Sequence, residues 1–116
     1  ASLRDEFRQA LGAWRQSLEH GDLVAHLSLY ADDFRYRDMD LGAWSSYRRN
    51  VFDARSLDAV RLENVMLVAD PEVPGLYLSR FTQTLATADG NVTTTRRLYW
   101  RRASAADWKI VAEDAG

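Results

Sequence analysis

Residues 76–102 read LYLSRFTQTLATADGNVTTTRRLYWRR, and this stretch decides the fold class. Apolar and polar side chains alternate along much of it with a period of two, which is typical of β-strands. Asp89-Gly90 near its middle is a dipeptide that tight hairpin turns prefer. The stretch therefore predicts two long antiparallel strands, Leu76–Thr87 and Val92–Arg102, joined by a hairpin.

The β-type pattern continues on both sides of this hairpin. Upstream, residues 57–68 predict another strand, and the alternation slips at Glu63-Asn64, where we expect a bulge or bend. The prolines and glycine of residues 71–75 predict the turn that follows. Downstream, residues 103–107 predict a loop and residues 108–113 a last strand, so the second half of the chain is predicted to form a four-strand meander.

The first half of the chain has the 3.6-residue period of amphipathic helices. One predicted helix is capped by Ser2 and ends at Gly21. Its apolar face consists of Leu3, Phe7, Leu11, Trp14 and Leu18. A second helix is predicted to begin at Asp22, and its inner face consists of Leu23, Leu27 and Tyr30.

A short strand and a third helix complete the first half. Alternation at Phe34–Arg37 predicts the strand, and Asp40 is the expected cap of the helix after it. The apolar side of this helix is predicted to carry Leu41, Trp44, Val51 and Tyr47, with Arg48 and Arg49 near the opposite side. Helices that precede an antiparallel sheet indicate the α+β class.

Composition narrows the possible functions. The chain has 116 residues, enough for one hydrophobic core, and we expect a single domain over residues 1–116. It has no cysteine, which excludes a disulfide framework, a thiol nucleophile and a cysteine-type zinc site. With a net charge of −2 and no long apolar run, we expect no nucleic-acid partner and no membrane span. We also expect no metal and no cofactor.

Several segments resemble the nuclear-transport-factor-2-like (NTF2-like) fold over essentially the whole chain. They are Gly21-Asp22, Tyr30-Ala31-Asp32-Asp33-Phe34 and the meander that ends in Trp108-Lys109-Ile110-Val111. The resemblance implies a cone in which three helices pack on a curved, mostly antiparallel sheet, with a pocket between the two layers. Members of this fold differ in activity, so the resemblance alone implies no reaction.

A closer resemblance is to the C-terminal NTF2-like domain of bacterial L,D-transpeptidase and L,D-carboxypeptidase cell-wall proteins. It is carried by Asp38-Met39-Asp40-Leu41, Ala43-Trp44, Tyr47-Arg48-Arg49, Arg80-Phe81-Thr82-Gln83 and Arg97-Leu98-Tyr99-Trp100-Arg101-Arg102. In those proteins the catalytic cysteine lies in the other domain. The resemblance therefore implies an exported, periplasmic, non-catalytic accessory domain that binds a small molecule or a peptidoglycan fragment.

Ketosteroid isomerase and its relatives imply an alternative within the same fold. Asp38 matches their general base, which would make this a small-molecule isomerase, dehydratase or cyclase. Their oxyanion donors are a tyrosine and a protonated aspartate, and the matching positions here are Trp14 and Arg97. The set is incomplete, and a turn or capping role is the favoured explanation of Asp38. The only histidines, His20 and His26, fall in predicted helices, and we expect neither to act at a site.

The expected pocket draws on both layers. Its predicted residues are Trp14, Tyr30, Asp38, Trp44, Tyr47, Arg48, Tyr77, Phe81, Gln83, Arg97 and Tyr99. Both faces of the hairpin carry large apolar residues, so the face turned away from the helices is a candidate interface for a second copy or a partner domain. The alternatives are that the aromatic residues only fill the core and that the arginines form a solvated strand surface.

Overall fold

Three helices pack on a five-stranded sheet in the computed structural model of the protein, which describes residues 2–54 and 57–115. The helices are α1 (Leu3–Glu19), α2 (Leu23–Leu27) and α3 (Leu41–Ala54). The strands are β1 (Tyr30–Arg35), β2 (Ala59–Ala69), β3 (Leu76–Thr87), β4 (Gly90–Ser104) and β5 (Asp107–Ala115). Their order is β1-β5-β4-β3-β2, with only β1 and β5 parallel. The predicted α+β architecture, a short first strand plus a four-strand meander, is confirmed.

The helix starts follow the predicted caps. The Ser2 hydroxyl accepts a hydrogen bond from the backbone N–H of Asp5, and the Asp22 carboxylate accepts one from that of Ala25. Gly21 has φ of 64°, a left-handed conformation that glycine adopts without strain, and it lets α1 and α2 follow each other closely. The predicted inner face of α1 is buried, except that Leu3 is 39% exposed.

The boundary between α2 and β1 differs from the prediction. The helix ends at Leu27, and Tyr30 opens the strand instead of lying on the helix. The backbone N–H of Ile110 in β5 donates to the carbonyl of Leu29 at 2.8 Å, and Tyr30 pairs with Ile110. Pairing with β5 therefore draws this segment into the sheet, and β1 ends at Arg35.

Two irregularities reorient side chains in the sheet. The register between β2 and β3 shifts near Asn64, whose φ is 55°, and this confirms the predicted bulge. A second, unpredicted shift lies in β4–β5, where Tyr99 pairs with Ala112 but Trp100 pairs with Ile110. The extra residue reverses the alternation of β5, so that Glu113 lies on the inner face.

The core fills the space between α1 and the inner face of the sheet. Trp100 is fully buried, its indole N–H donates to the Ser79 hydroxyl at 2.8 Å, and its ring meets that of Phe7 edge-on at 5.9 Å. Leu98 and Ile110 are fully buried beside it. No helix in the described part of the chain is long and apolar enough to cross a membrane.

Candidate functional site

A group of buried polar side chains surrounds the hydroxyl of Tyr30. The hydroxyl donates to Glu113 Oε1 at 2.8 Å and accepts a hydrogen bond from Trp14 Nε1 at 3.2 Å. His26 Nε2 lies 3.4 Å away, and His26 Nδ1 lies 3.1 Å from Ser17 Oγ. We call these five residues the Tyr30 network. It joins α1, α2, β1 and β5, and all five side chains are buried.

His26 is held neutral within this network. Burial, followed by the positive charges of Arg48 and Arg96, lowers its pKa to about 3. Ser17 donates its hydroxyl proton to the Trp14 carbonyl at 2.7 Å, so His26 Nδ1–H is the group that donates to Ser17. This assigns the lone pair to Nε2, on the Tyr30 side.

Glu113 is the only acidic member of the network. Its side chain is 1% exposed, and Oε2 lies 3.4 Å from Nη1 of Arg96. Burial raises the pKa of Glu113 despite the charges of Arg96 and Arg48 and the hydrogen bond from Tyr30, all of which act in the other direction. Burial, followed by the carboxylate of Glu113, also raises the pKa of Tyr30.

Arg48 lies on the buried side of α3, contrary to the prediction that it lies near the other side. It follows Trp44 by one helical turn and precedes Phe52 by one, so the three side chains share a face. Its guanidinium carbon lies 5.4 Å from the ring centroids of both Trp44 and Phe52, within the range of cation–π attraction. The two rings hold the guanidinium in place without neutralising it.

An open cleft of about 210 Å³ lies beside this cluster, between the end of α1, α3 and strands β3 and β4. Its lining residues are Leu18, Glu19, His20, Gly21, Arg48, Val51, Phe52, Leu57, Gln83, Leu85 and Arg96. Three buried atoms of this lining, Arg48 Nε, Gln83 Oε1 and Arg96 Nε, have no hydrogen-bond partner among the described residues. Buried polar atoms are normally paired, so these three mark a place for a ligand or for ordered water.

The charges around the cleft favour an anion. Arg48 and Arg96 contribute two guanidinium groups, whereas Glu113 supplies one carboxylate behind Arg96. The carboxylate in the lining itself, that of Glu19, is in an ion pair with Arg15. A negatively charged group in the cleft would therefore meet an excess of positive charge in a partly desolvated place.

Two of the predicted pocket residues, Arg48 and Gln83, line the cleft. Trp14 and Tyr30 belong to the network and are buried. Arg96, which was not predicted, completes the lining. The sequence could have predicted this, because every second residue of a strand faces the same side, which places residue 96 on the side of the apolar residues at positions 98 and 100.

The other predicted aromatic residues lie outside the cleft lining. Trp44 and Phe81 are buried in the core, both at most 1% exposed. Tyr77 packs on Trp108, with 5.2 Å between ring centroids. Tyr47 is 46% exposed and packs on Trp44. Trp44 and Phe81 therefore belong to the core and Tyr77 packs against it, as the core alternative describes, whereas Tyr47 lies at the surface.

Arg97 and Tyr99 do not face the cleft either. They alternate with the buried Leu98, so their side chains project from the outer face of the sheet. Arg97 lies 3.8 Å from Asp114 there.

The residues required by the isomerase alternative are not brought together. Asp38 is exposed in a turn closed by backbone hydrogen bonds between Tyr36 and Met39. Trp14 is buried and donates to Tyr30. Arg97 lies on the outer face, so no base and oxyanion donor converge on one carbonyl position.

The cap of α3 is Asp40, since its Oδ1 accepts a hydrogen bond from the backbone N–H of Ala43 at 2.9 Å. We expect Asp40→Ala to lower the free energy of unfolding by about 1 kcal/mol. Asp38→Ala removes an exposed carboxylate two residues earlier and should change it by less than about 0.5 kcal/mol. Urea denaturation of both variants measures the difference, and equal losses would contradict this assignment.

Sequence reasoning also missed His26 and Glu113. The prediction extended α2 to Tyr30 and placed His26 off its inner face, whereas the early helix end leaves His26 fully buried. Glu113 reaches the inner face only through the β5 bulge. Among the described residues, no group of three or more His, Asp and Glu side chains is arranged to hold a metal ion.

Similar solved structures agree with this architecture. Bd1075 of Bdellovibrio bacteriovorus has a TM-score of 0.82 at 18% identity, over 97% of this chain and 41% of that one. The K307A mutant of the helical cell shape determining protein Pgp2 from Campylobacter jejuni has a TM-score of 0.81 at 19% identity, with 97% and 41% coverage. An NTF2-like protein of unknown function from Pseudomonas putida has a TM-score of 0.79 at 17% identity, with 97% and 84% coverage.

These likenesses show the NTF2-like fold. This chain spans about two fifths of the length of Bd1075 and Pgp2, at 41% of each. The curated proteins contain no match to it. The family model that describes the Cds6 C-terminal NTF2-like domain matches residues 6–114. The chain therefore belongs to the family of Cds6 C-terminal NTF2-like domains.

Proposed function

We propose that this domain is a non-catalytic binding module whose cleft holds a small ligand with a carboxylate group, in particular a peptide fragment of peptidoglycan. The observation that carries the proposal is the set of three unpartnered buried atoms at the cleft, on Arg48, Gln83 and Arg96. Two of them belong to guanidinium groups, which match a carboxylate in charge and geometry. The third is an amide oxygen, which accepts a hydrogen bond from a peptide N–H.

The cell-wall context of the proposal comes from family resemblance. Pgp2 is described as a helical cell shape determining protein, and its matching part is 41% of that chain. We propose that this domain likewise works within or beside an exported cell-wall-modifying protein, in the periplasm or outside the cell. In that role the cleft would hold a stem peptide while another domain performs the chemistry.

A titration with a synthetic stem peptide tests the proposal. The probe is L-Ala-γ-D-Glu-meso-diaminopimelate, and its control is the same peptide with every carboxylate amidated. We expect the acidic peptide to shift the backbone amide NMR signals of residues around the cleft. We expect the amidated peptide to bind at least about tenfold more weakly, because a charged hydrogen bond contributes about 1.5–3 kcal/mol.

Neighbouring arginines supply a matched control. Arg96→Gln removes a guanidinium at the cleft and should weaken binding of the acidic peptide about 20-fold. Arg97→Gln makes the same change on the outer face of the sheet, and the affinity should stay within about twofold. Isothermal titration calorimetry measures both. Equal effects of the two variants, or equal binding of acidic and amidated peptides, would overturn the proposal.

A further inference from the structure

A second concave surface, which shares no lining residue with the cleft, lies between α1 and β2. We call it the α1–β2 groove, and its volume is about 860 Å³. Its apolar floor consists of Leu3, Phe7, Leu11, Leu62, Val65 and Leu67. On α1 the first and last floor residues, Leu3 and Leu11, lie eight residues apart, or about 12 Å of helix at 1.5 Å per residue.

Part of this floor is open to solvent. Leu3 is 39% exposed at the start of α1, and Val65 is 46% exposed just after the Asn64 bulge. β2 is an edge strand of the sheet, so no further strand from the described residues covers this side. Exposed apolar side chains rimmed by charge are typical of a protein-binding site.

Every charged residue that lines the groove is an arginine, namely Arg4, Arg8 and Arg15. Arg15 is in an ion pair with Glu19, whereas Arg4 and Arg8 are exposed one helical turn apart. Arg4 lies in the first turn of α1, where the helix dipole disfavours a positive charge. The positive charge of Arg4 therefore lowers the stability of α1. A partner with acidic residues would complement the positive rim of the groove.

Gly12 supplies an independent observation. It lies in the middle of α1 and lines the groove, although glycine in a helix is about 1 kcal/mol less favourable than alanine. A Cβ at this position would meet nothing within 4 Å, so the fold itself does not require glycine here. A missing side chain does allow the backbone of a docked element to approach α1 closely.

We infer that the α1–β2 groove docks an amphipathic helix of a partner protein whose apolar face is flanked by acidic residues. The apolar residues of such a helix, spaced at i, i+3, i+4 and i+7, would cover the floor, as in other helix-in-groove complexes. Its acidic flank would lie along Arg4 and Arg8, and its backbone would pass over Gly12. The inference is independent of the ligand proposed for the cleft.

The test uses a fluorescein-labelled helical peptide of 18 residues with leucine at those apolar positions and glutamate on both flanks. A second peptide has lysine in place of every glutamate. We expect the glutamate peptide to bind at micromolar concentration and the lysine peptide to bind at least about tenfold more weakly, measured by fluorescence anisotropy at low salt.

Two sets of variants locate the binding. The double variant Arg4→Glu, Arg8→Glu should reverse the preference between the two peptides. Its control is the double variant Arg35→Glu, Arg49→Glu, which makes the same charge change at exposed sites outside the groove and should preserve the preference. Gly12→Ala should raise the melting temperature, because alanine favours the helix, while Gly12→Gln should weaken peptide binding at least about fivefold. Circular dichroism checks that each variant is folded.

Four outcomes would overturn the inference. The first is equal binding of both peptides, and the second is preserved binding when Gly12 is replaced by Gln. The third is self-association of the wild-type chain that Arg4→Glu with Arg8→Glu abolishes, which would identify a second copy as the occupant. The fourth is tighter association with vesicles of phosphatidylglycerol and phosphatidylcholine than with the glutamate peptide, which would identify a membrane surface.

Discussion

Replacing Glu113 by alanine is expected to lower the free energy of unfolding by about 3 kcal/mol at pH 7. The change removes the acceptor of the Tyr30 hydroxyl, which lies 2.8 Å from Oε1. The buried hydroxyl of Tyr30 would then lack this acceptor. The cavity left by the truncated side chain adds to the loss.

Glu113→Gln is the matched variant, and it should cost about 1 kcal/mol or less. The amide keeps the shape of the side chain and an oxygen that accepts from Tyr30. It also resembles the protonated carboxyl group, which the folded protein favours because burial raises the pKa of Glu113. The stabilising contribution of such a group is present below its unfolded pKa and is lost as pH rises through the folded pKa.

Urea denaturation of the wild type and both variants at pH 7 measures these two losses. A loss of about 3 kcal/mol in both variants would mean that the negative charge itself holds the network together. A loss below about 1 kcal/mol in Glu113→Ala would mean that water replaces the carboxylate without cost, and the network would not be a structural unit.

The fold was predictable because its main signals are local. The alternation in residues 76–102, the hairpin dipeptide and the caps at Ser2, Asp22 and Asp40 each act within a few residues. The end of α2 was not predictable in this way, because it depends on pairing between the segment at Leu29–Tyr30 and β5, which lies far away in the sequence.

The candidate site was less predictable than the fold because it depends on which face of a strand or helix each residue occupies. Arg48 and Gln83 were predicted for the pocket, although Arg48 was assigned to the wrong side of α3. Arg97 was predicted to line the pocket, but the neighbouring Arg96 faces the cleft instead. The alternation of side chains along the strand could have prevented this error. No local pattern shows that one extra residue in β5 turns Glu113 inward.

Nothing in the sequence relates the residues of the cleft to those of the Tyr30 network. In the structure, Arg96 links the two groups. This guanidinium lines the cleft and also lies 3.4 Å from Glu113, which bonds to Tyr30. An anion bound at the cleft would therefore compete with Glu113 for the same positive charge. We expect a ligand carboxylate to raise the pKa of Glu113 further, which two-dimensional NMR of the glutamate side-chain carboxyl carbons can measure.

The stability of the domain is expected to fall steeply in acid because of His26. In the folded state its pKa is about 3, so the imidazole stays neutral, whereas the unfolded chain binds a proton below about pH 6.5. The contribution of the buried neutral ring is therefore present above pH 6.5 and is lost as pH falls toward the folded pKa. Between pH 7 and pH 4 this single group should remove about 3 kcal/mol.

A difference between variants isolates this contribution from other titrating groups. Hydrogen bonds from Arg102 and Arg101 lower the pKa values of Glu6 and Asp33, so these carboxylates also lose stabilising interactions in acid. The raised pKa of Glu113 has the opposite effect, because its contribution to stability is present in acid and is lost as pH rises. Glu6 and Asp33 lie outside the Tyr30 network and are present in both wild type and His26→Gln, so their effects cancel when the free energies of unfolding of the two proteins are subtracted at each pH.

We expect the advantage of the wild type over His26→Gln to shrink by about 3 kcal/mol from pH 7 to pH 4 in urea denaturation. His20→Gln removes the other imidazole, which lies exposed at the end of α1, and should change the free energy of unfolding at pH 7 by less than about 0.5 kcal/mol. A constant difference for His26→Gln would mean that His26 becomes protonated without unfolding. The Tyr30 network would then have to open to water in acid, since a buried imidazolium beside Arg48 and Arg96 has no available counter-charge except Glu113.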